Sequence, residues 1–164
     1  MIKWLWLSVL VLVLDQASKL VVAAQMDLYQ SIPITPFFSL THVHNTGAAF
    51  SFLSQAGGWQ RWFFAALAMA VSIVLGLWLK RLKAYETLLA VALALILGGA
   101  VGNLIDRLAY GYVIDFLDFY YRDWHWPAFN VADSAICIGV ALMLAESFGL
   151  GKAQEPAADR RSDH

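Results

Sequence analysis

The chain has 164 residues and a formal net charge of −1, yet 60% of it is hydrophobic, 14% is charged and the mean hydropathy is +0.63. That balance excludes an ordinary soluble domain and marks an integral membrane protein, with no nucleic-acid partner expected. The single cysteine, Cys137, falls in an apolar stretch, can form no intrachain disulfide and is assigned a packing role.

The first predicted span runs from Trp4 to Ala24. Its basic start and apolar core would also suit a cleavable leader, but no small-residue cleavage site follows. The polar run Asp15-Gln16-Ala17-Ser18-Lys19 interrupts it instead, so the segment is expected to remain as a helix. From about 25 to 58 the chain leaves the membrane. Phe38-Ser39-Leu40-Thr41-His42-Val43-His44 has the β-branched and aromatic content of a strand, Asn45-Thr46-Gly47 reads as a turn, and Ala48 to Leu53 is expected to return as a second strand. Further spans are predicted over Trp59 to Leu79, Thr87 to Asn103 and Asn130 to Phe148, each long enough to cross a hydrocarbon core about 30 Å thick. The segment 104–129 is read as a second outer protrusion, aromatic-rich and carrying Asp115, Asp118 and Asp123.

These elements predict an α-helical integral membrane protein with four transmembrane helices and a small extracytoplasmic β-sheet or cradle. Residues 1–150 form one domain, and the polar, small-residue-rich stretch 151–164 a disordered cytoplasmic tail. Four crossings put both ends of the chain on one side. Lys3, the cluster Lys80, Arg81 and Lys83, and Lys152, Arg160 and Arg161 all fall on that side, which the positive-inside rule makes cytoplasmic. Tryptophan agrees: Trp4, Trp6 and Trp78 lie at inner ends, and Trp59, Trp62, Trp124 and Trp126 at or near outer ends.

This topology collects distant polar residues at the outer face. Asp15 lies about 17 Å along its helix from Trp4, already past the midplane, and Lys19 is a turn further out. Asn103, Asp106 and Arg107 end the third span, Asn130 and Asp133 begin the fourth, and Asn45 and Asp115 come from outer loops. Ordinary readings exist for each. Asn130 and Asp133, three apart at a helix start, suit an N-cap and an acidic first-turn residue, which is compatible with a second role. Asp15 and Lys19, at i and i+4, read as an ion pair with the lysine snorkelling outward. Arg107 could hold a carboxylate or a phosphate headgroup. Gly98-Gly99-Ala100-Val101-Gly102 carries the small-residue spacing of close helix packing. Asp115 stands apart, because apolar residues flank it on both sides in Val113-Ile114-Asp115-Phe116-Leu117, a setting in which a carboxylate is costly to ionise.

His42 and His44 alternate on a strand and invite a metal reading. With neither a third ligand nor an H-E-x-x-H pattern, that reading is set aside and no metal or cofactor is expected. No nucleophile elbow supports a serine mechanism. A transporter relay through Asp15, Lys19, Asp133 and Arg107 would need charges along a path, whereas these cluster at one face. A non-enzymatic assembly factor that binds a partner through the same residues is the third alternative.

Five motifs, D-Q-A-S-K at 15–19, N-T-G-A-A-F at 45–50, G-N-L-I-D-R at 102–107, V-I-D-F at 113–116 and F-N-V-A-D-S at 129–134, occur in one order. Together they resemble the motif set of lipoprotein signal peptidase, or signal peptidase II. The resemblance covers the chain from the first span to the end of the fourth. It implies a bacterial inner-membrane aspartyl endopeptidase that removes signal peptides from diacylglyceryl-modified prolipoproteins by cutting just before the lipidated cysteine. It also implies that membrane lipids surround it, that globomycin-type inhibitors bind it, and that it works as a monomer with its active site near the periplasmic face. Carried over by position, the catalytic pair matches Asp115 and Asp133. Asn45, Gly47, Asn103, Arg107 and Asn130 match residues that bind substrate or support the pair, and Asp15 and Lys19 match the first-helix motif. Two close carboxyls share a proton, which lets one activate water while the other protonates the oxyanion. The helix start at Asp133 and the apolar flanks of Asp115 both favour Asp133 as the base.

Overall fold

The fold was obtained as a computed structural model that describes residues 1–47 and 58–149. The second strand expected over 48–53 and the tail expected over 151–164 lie outside the described residues. After a 3-10 turn at Ile2–Trp4, the elements are α1 (Leu5–Gln25), β1 (Ser31–Thr35), β2 (Phe38–Asn45), α2 (Trp59–Arg81), α3 (Thr87–Ala109), β3 (Val113–Tyr121), β4 (Trp124–His125) and α4 (Val131–Ser147). The strands form one antiparallel sheet in the order β1-β2-β3-β4. It is reached from the C-terminal ends of α1 and α3 and leads into the N-terminal end of α4, so it caps one end of the bundle.

Among the described residues three stretches, Ile2–Gln25, Trp59–Arg81 and Thr87–Ala109, are helical, long and apolar enough to cross a membrane. The fourth helix has 17 residues, about 25 Å at 1.5 Å per residue. α2 shows its apolar face most plainly: Trp62, Ile73, Val74 and Leu77 are all exposed. A surface of that kind suits lipid and would be a liability in water.

α3 is the hub and packs against all three other helices. Its glycines explain how. A Cβ on Gly98 would lie 2.7 Å from the Ser8 carbonyl of α1, and one on Gly99 would collide with the Ala132 carbonyl of α4. Ser8 Oγ adds a 2.7 Å hydrogen bond to the Ala94 carbonyl across the same seam. The packing role read from the small-residue spacing is therefore the observed one. At the opposite end from the sheet, Leu75, Leu79, Leu82, Leu89, Leu93 and Ile96 form a buried apolar cluster.

Several expectations change. α3 does not stop at Asn103 but continues to Ala109, because Asp106 and Arg107 find partners that let their helical turn be buried. The segment read as the outer protrusion 104–129 supplies that last turn and then β3 and β4. Asp115 is thus a strand residue, paired opposite Val43, and not a loop residue. β1 escaped the sequence reading because Pro33 interrupts its pattern, which an edge strand with an irregular register tolerates. β2 begins at Phe38 as expected and ends one residue later, at Asn45.

Candidate active site

The start of α4 is built as a capping box. Asn130 Oδ1 accepts the Asp133 backbone N–H at 2.9 Å, and Asp133 Oδ2 accepts the Asn130 backbone N–H at 3.3 Å. The capping reading is correct, and it does not exhaust these residues. Asn130 is fully buried and turns its side-chain Nδ2 to Asp115 Oδ1 at 2.7 Å, with longer contacts to the Ile114 carbonyl and to Asn103 Oδ1. One asparagine therefore holds both carboxyls, one through its side chain and the other through its backbone.

Each aspartate has a second amide donor. Asn45 Nδ2 donates to Asp115 Oδ2 at 3.0 Å from the end of β2, and Asn103 Nδ2 donates to Asp133 Oδ1 at 2.8 Å from α3. Asn45 is steadied in turn by the Gly47 N–H on its Oδ1 at 3.0 Å, which closes the expected turn. The Gly47 carbonyl accepts Arg107 Nη2 at 3.0 Å, and Arg107 Nη1 donates to the Asn103 carbonyl at 3.2 Å. The guanidinium also lies over the Phe64 ring. Arg107 thus ties the Asn45 turn to α3 through backbone carbonyls, a third role beside the two left open by the sequence.

Lys19 departs from expectation. It pairs with Asp15 Oδ2 at 2.8 Å, as the i,i+4 spacing predicts, but it is 1% exposed and does not snorkel. Asp106 Oδ2 at 2.8 Å and Asn103 Oδ1 at 2.9 Å occupy its other N–H donors, so burial leaves none of the three unsatisfied. The sequence reading assigned no role to Asp106 or Gln16. Gln16 Nε2 donates to Asp106 Oδ1 at 2.8 Å. The i,i+4 spacing of Asp15 and Lys19 signals one of the two carboxylates that face this lysine, and the i,i+3 placement of Asn103 and Asp106 on one face of α3 is the signal for the other.

A cleft of about 430 Å³ opens onto both aspartates. Asn45, Asn103 and Arg107 form its polar end, while Val113, Phe129, Ile136 and Cys137 are among the residues that make it apolar elsewhere. Cys137, one turn beyond Asp133 on α4, is exposed along this cleft and does not fill the packing role expected of it. Asp115 is 2% exposed, and burial followed by repulsion from Asp133 raises its pKa to about 7; the amides of Asn45 and Asn130 and the charge of Lys19 oppose the rise. At neutral pH a carboxyl so tuned can hold or release a proton.

His42 and His44 meet each other through Nε2 at 3.2 Å; His42 Nδ1 contacts the Met26 carbonyl, and His44 stacks on Tyr112. Burial and then the neighbouring His42 lower the pKa of His44, in keeping with a neutral ring wedged in the sheet. Among the described residues no group of three or more His, Cys, Asp or Glu side chains is arranged to hold a metal ion.

Apolar helices capped by a small sheet, with a cleft at the junction, define a membrane enzyme. The chain superposes on a bacterial membrane enzyme solved by the in meso method at 2.3 Å resolution, with a TM-score of 0.80, 32% identity and 94% of both chains covered. A second such enzyme, solved at 1.9 Å, gives a TM-score of 0.78 over 90% of this chain and 93% of the other. A family model described as signal peptidase (SPase) II matches residues 7–149, and the chain belongs to that family. It is 56% identical to the lipoprotein signal peptidase of Alteromonas mediterranea over 98% of this chain and 90% of that one. It is also 59% identical to the lipoprotein signal peptidase of Pseudoalteromonas translucida, over 88% and 87% of the two chains.

Proposed function

We propose that this chain removes the signal peptide from diacylglyceryl-modified prolipoproteins, cutting just before the lipidated cysteine with Asp115 and Asp133 as its catalytic pair. Family membership supports the reaction. The observation that carries the pair is Asn130, fully buried, which donates at once to Asp115 Oδ1 and Asp133 Oδ2, the two aspartates that line a cleft otherwise largely apolar.

The chemistry follows from the surroundings. Asp133 accepts two N–H groups in the first turn of α4, where the helix dipole favours negative charge by about 0.3 to 1 kcal/mol. Asp115, buried and with its pKa near 7, keeps the shared proton. Asp133 takes a proton from a water that attacks the scissile carbonyl, and Asp115 donates its own to the developing oxyanion. Collapse of the tetrahedral intermediate breaks the C–N bond: the proton held by Asp133 passes to the departing amine of the cysteine, and one hydroxyl of the intermediate returns its proton to Asp115 as the new carboxyl forms. No acyl-enzyme forms.

The same reading has α4 as a fourth span, both ends of the chain in the cytoplasm and the cleft near the periplasmic face of the inner membrane. A signal peptide and the diacylglyceryl chains can then reach the cleft laterally without leaving the bilayer. Residues 1–150 act as one unit, a monomer suffices, and globomycin-type inhibitors compete for the cleft. Reconstitution with a precursor that carries or lacks the diacylglyceryl group tests the substrate. Cleavage of the modified precursor alone, leaving cysteine at the new N-terminus, is expected; equal cleavage of both would overturn the lipid requirement.

A further inference from the structure

Behind the two aspartates, and away from the cleft, lies the ionic cluster of Lys19, Asp15 and Asp106. Each member reaches past the cluster. Asp15 Oδ1 accepts the backbone N–H of Ala132 at 2.9 Å, one residue before Asp133. Asp106 Oδ2 accepts the backbone N–H of Ile114 at 3.2 Å, one residue before Asp115. Lys19 donates to Asn103 Oδ1, which leaves the amide nitrogen of Asn103 to face Asp133. We propose that Lys19, Asp15 and Asp106 are positioning residues that fix the register of β3 and α4, and hence the mutual placement of the two aspartates. This inference rests on the reading of Asp115 and Asp133 as the catalytic pair.

Two further observations carry it. Were the Asn103 amide flipped, its NH2 group would meet the Lys19 ammonium and its oxygen the Asp133 carboxyl, so the lysine sets which end points at the reacting group. Gly102 leaves the space the cluster needs, since a Cβ there would lie 2.6 Å from Asp15 Oδ2. Stability alone is a poor reason for burying one cation and two carboxylates, because well-packed apolar side chains serve as well or better. Geometry is what such a cluster supplies, and a misplacement of about 1 Å at a reacting centre can cost on the order of 100-fold in rate.

The test compares full-length Lys19→Met, the charge-balanced double variant Lys19→Met with Asp106→Asn, Asp106→Asn, Asp106→Ala and Asp115→Asn, all in bilayers with a diacylglyceryl-modified precursor. Lys19→Met and the double variant should lose about 100-fold in kcat while KM stays within about threefold. Asp106→Asn, which keeps an oxygen for the Ile114 N–H, should retain more activity than Asp106→Ala. Should Lys19→Met fail to fold, the double variant and the Asp106 pair carry the same comparison. A near-normal kcat in the double variant, a KM that rises in step with the loss of kcat, or equal kcat in the two Asp106 variants would overturn the positioning role. Cleavage by Asp115→Asn would instead overturn the catalytic pair itself.

Discussion

Asn130 Nδ2 donates to Asp115 Oδ1 at 2.7 Å across 15 residues of sequence, joining the first turn of α4 to the middle of the sheet. The same residue caps its helix, and the two duties can be separated. Asn130→Ser keeps a good N-cap, so the thermal midpoint should move little, whereas Asn130→Ala should cost about 1 kcal/mol. Both variants lose the amide on Asp115, and both should lower kcat by at least about tenfold. Thermal unfolding and steady-state rates measured on the same preparations check this.

The proton on Asp115 makes both rate and stability depend on pH. Its folded pKa, about 7, lies above the usual 3.8, so between those values the folded state binds more protons than the unfolded one. The contribution of Asp115 to stability is therefore fully present below about pH 4 and is lost as pH rises through 7. Asp115→Asn removes that dependence. Relative to the wild type, the thermal midpoint of this variant should stand higher at pH 8 than at pH 5, and wild-type cleavage should decline above pH 7 as the proton leaves.

The seam between α3 and α4 has no room at Gly99, where a Cβ would meet the Ala132 carbonyl. Gly99→Ala should destabilise the protein by about 1 to 3 kcal/mol through overpacking. It should also slow cleavage, because Ala132 immediately precedes Asp133. Gly76, where an added Cβ would have nothing within 4 Å, should accept alanine with neither effect, and thermal unfolding of the pair is the comparison.

Arg107 uses two nitrogens for two carbonyls, on Gly47 and Asn103. Lysine offers a point charge in place of that planar fork. Arg107→Lys should therefore lower activity by about tenfold while the Asn45 turn loosens, which spin-label distances between β2 and α3 would register.

Much of this was legible in the sequence, and the rest was hidden for identifiable reasons. Apolar length exposed α1, α2 and α3, and the Asn130, Asp133 spacing exposed the capped start of α4. β3 stayed hidden because both of its faces are covered: Val113, Ile114, Asp115 and Phe116 are all buried, so no polar alternation marks the strand. The same burial makes Asp115 unusual. The burial of Lys19 is not legible in the sequence, because snorkelling is the ordinary fate of a lysine near a helix end, and only the tertiary approach of Asp106 and Asn103 removes the need for it. Residues 15, 45, 103, 107, 115, 130 and 133, widely separated along the chain, could be grouped from ordered motifs; the hydrogen bonds that group them are a property of the fold.

The central claim, that Asp115 and Asp133 together perform the cut, is tested most directly by reconstituting the wild type, Asp115→Asn and Asp133→Asn with a diacylglyceryl-modified prolipoprotein and following release of its signal peptide. Amide replacement keeps size and most hydrogen bonding while removing the shared proton. Both variants should bind the precursor yet cleave it at least about 1,000-fold more slowly than the wild type, since acid–base groups that act as a unit fail together. Cleavage at the wild-type rate by either variant would contradict the account.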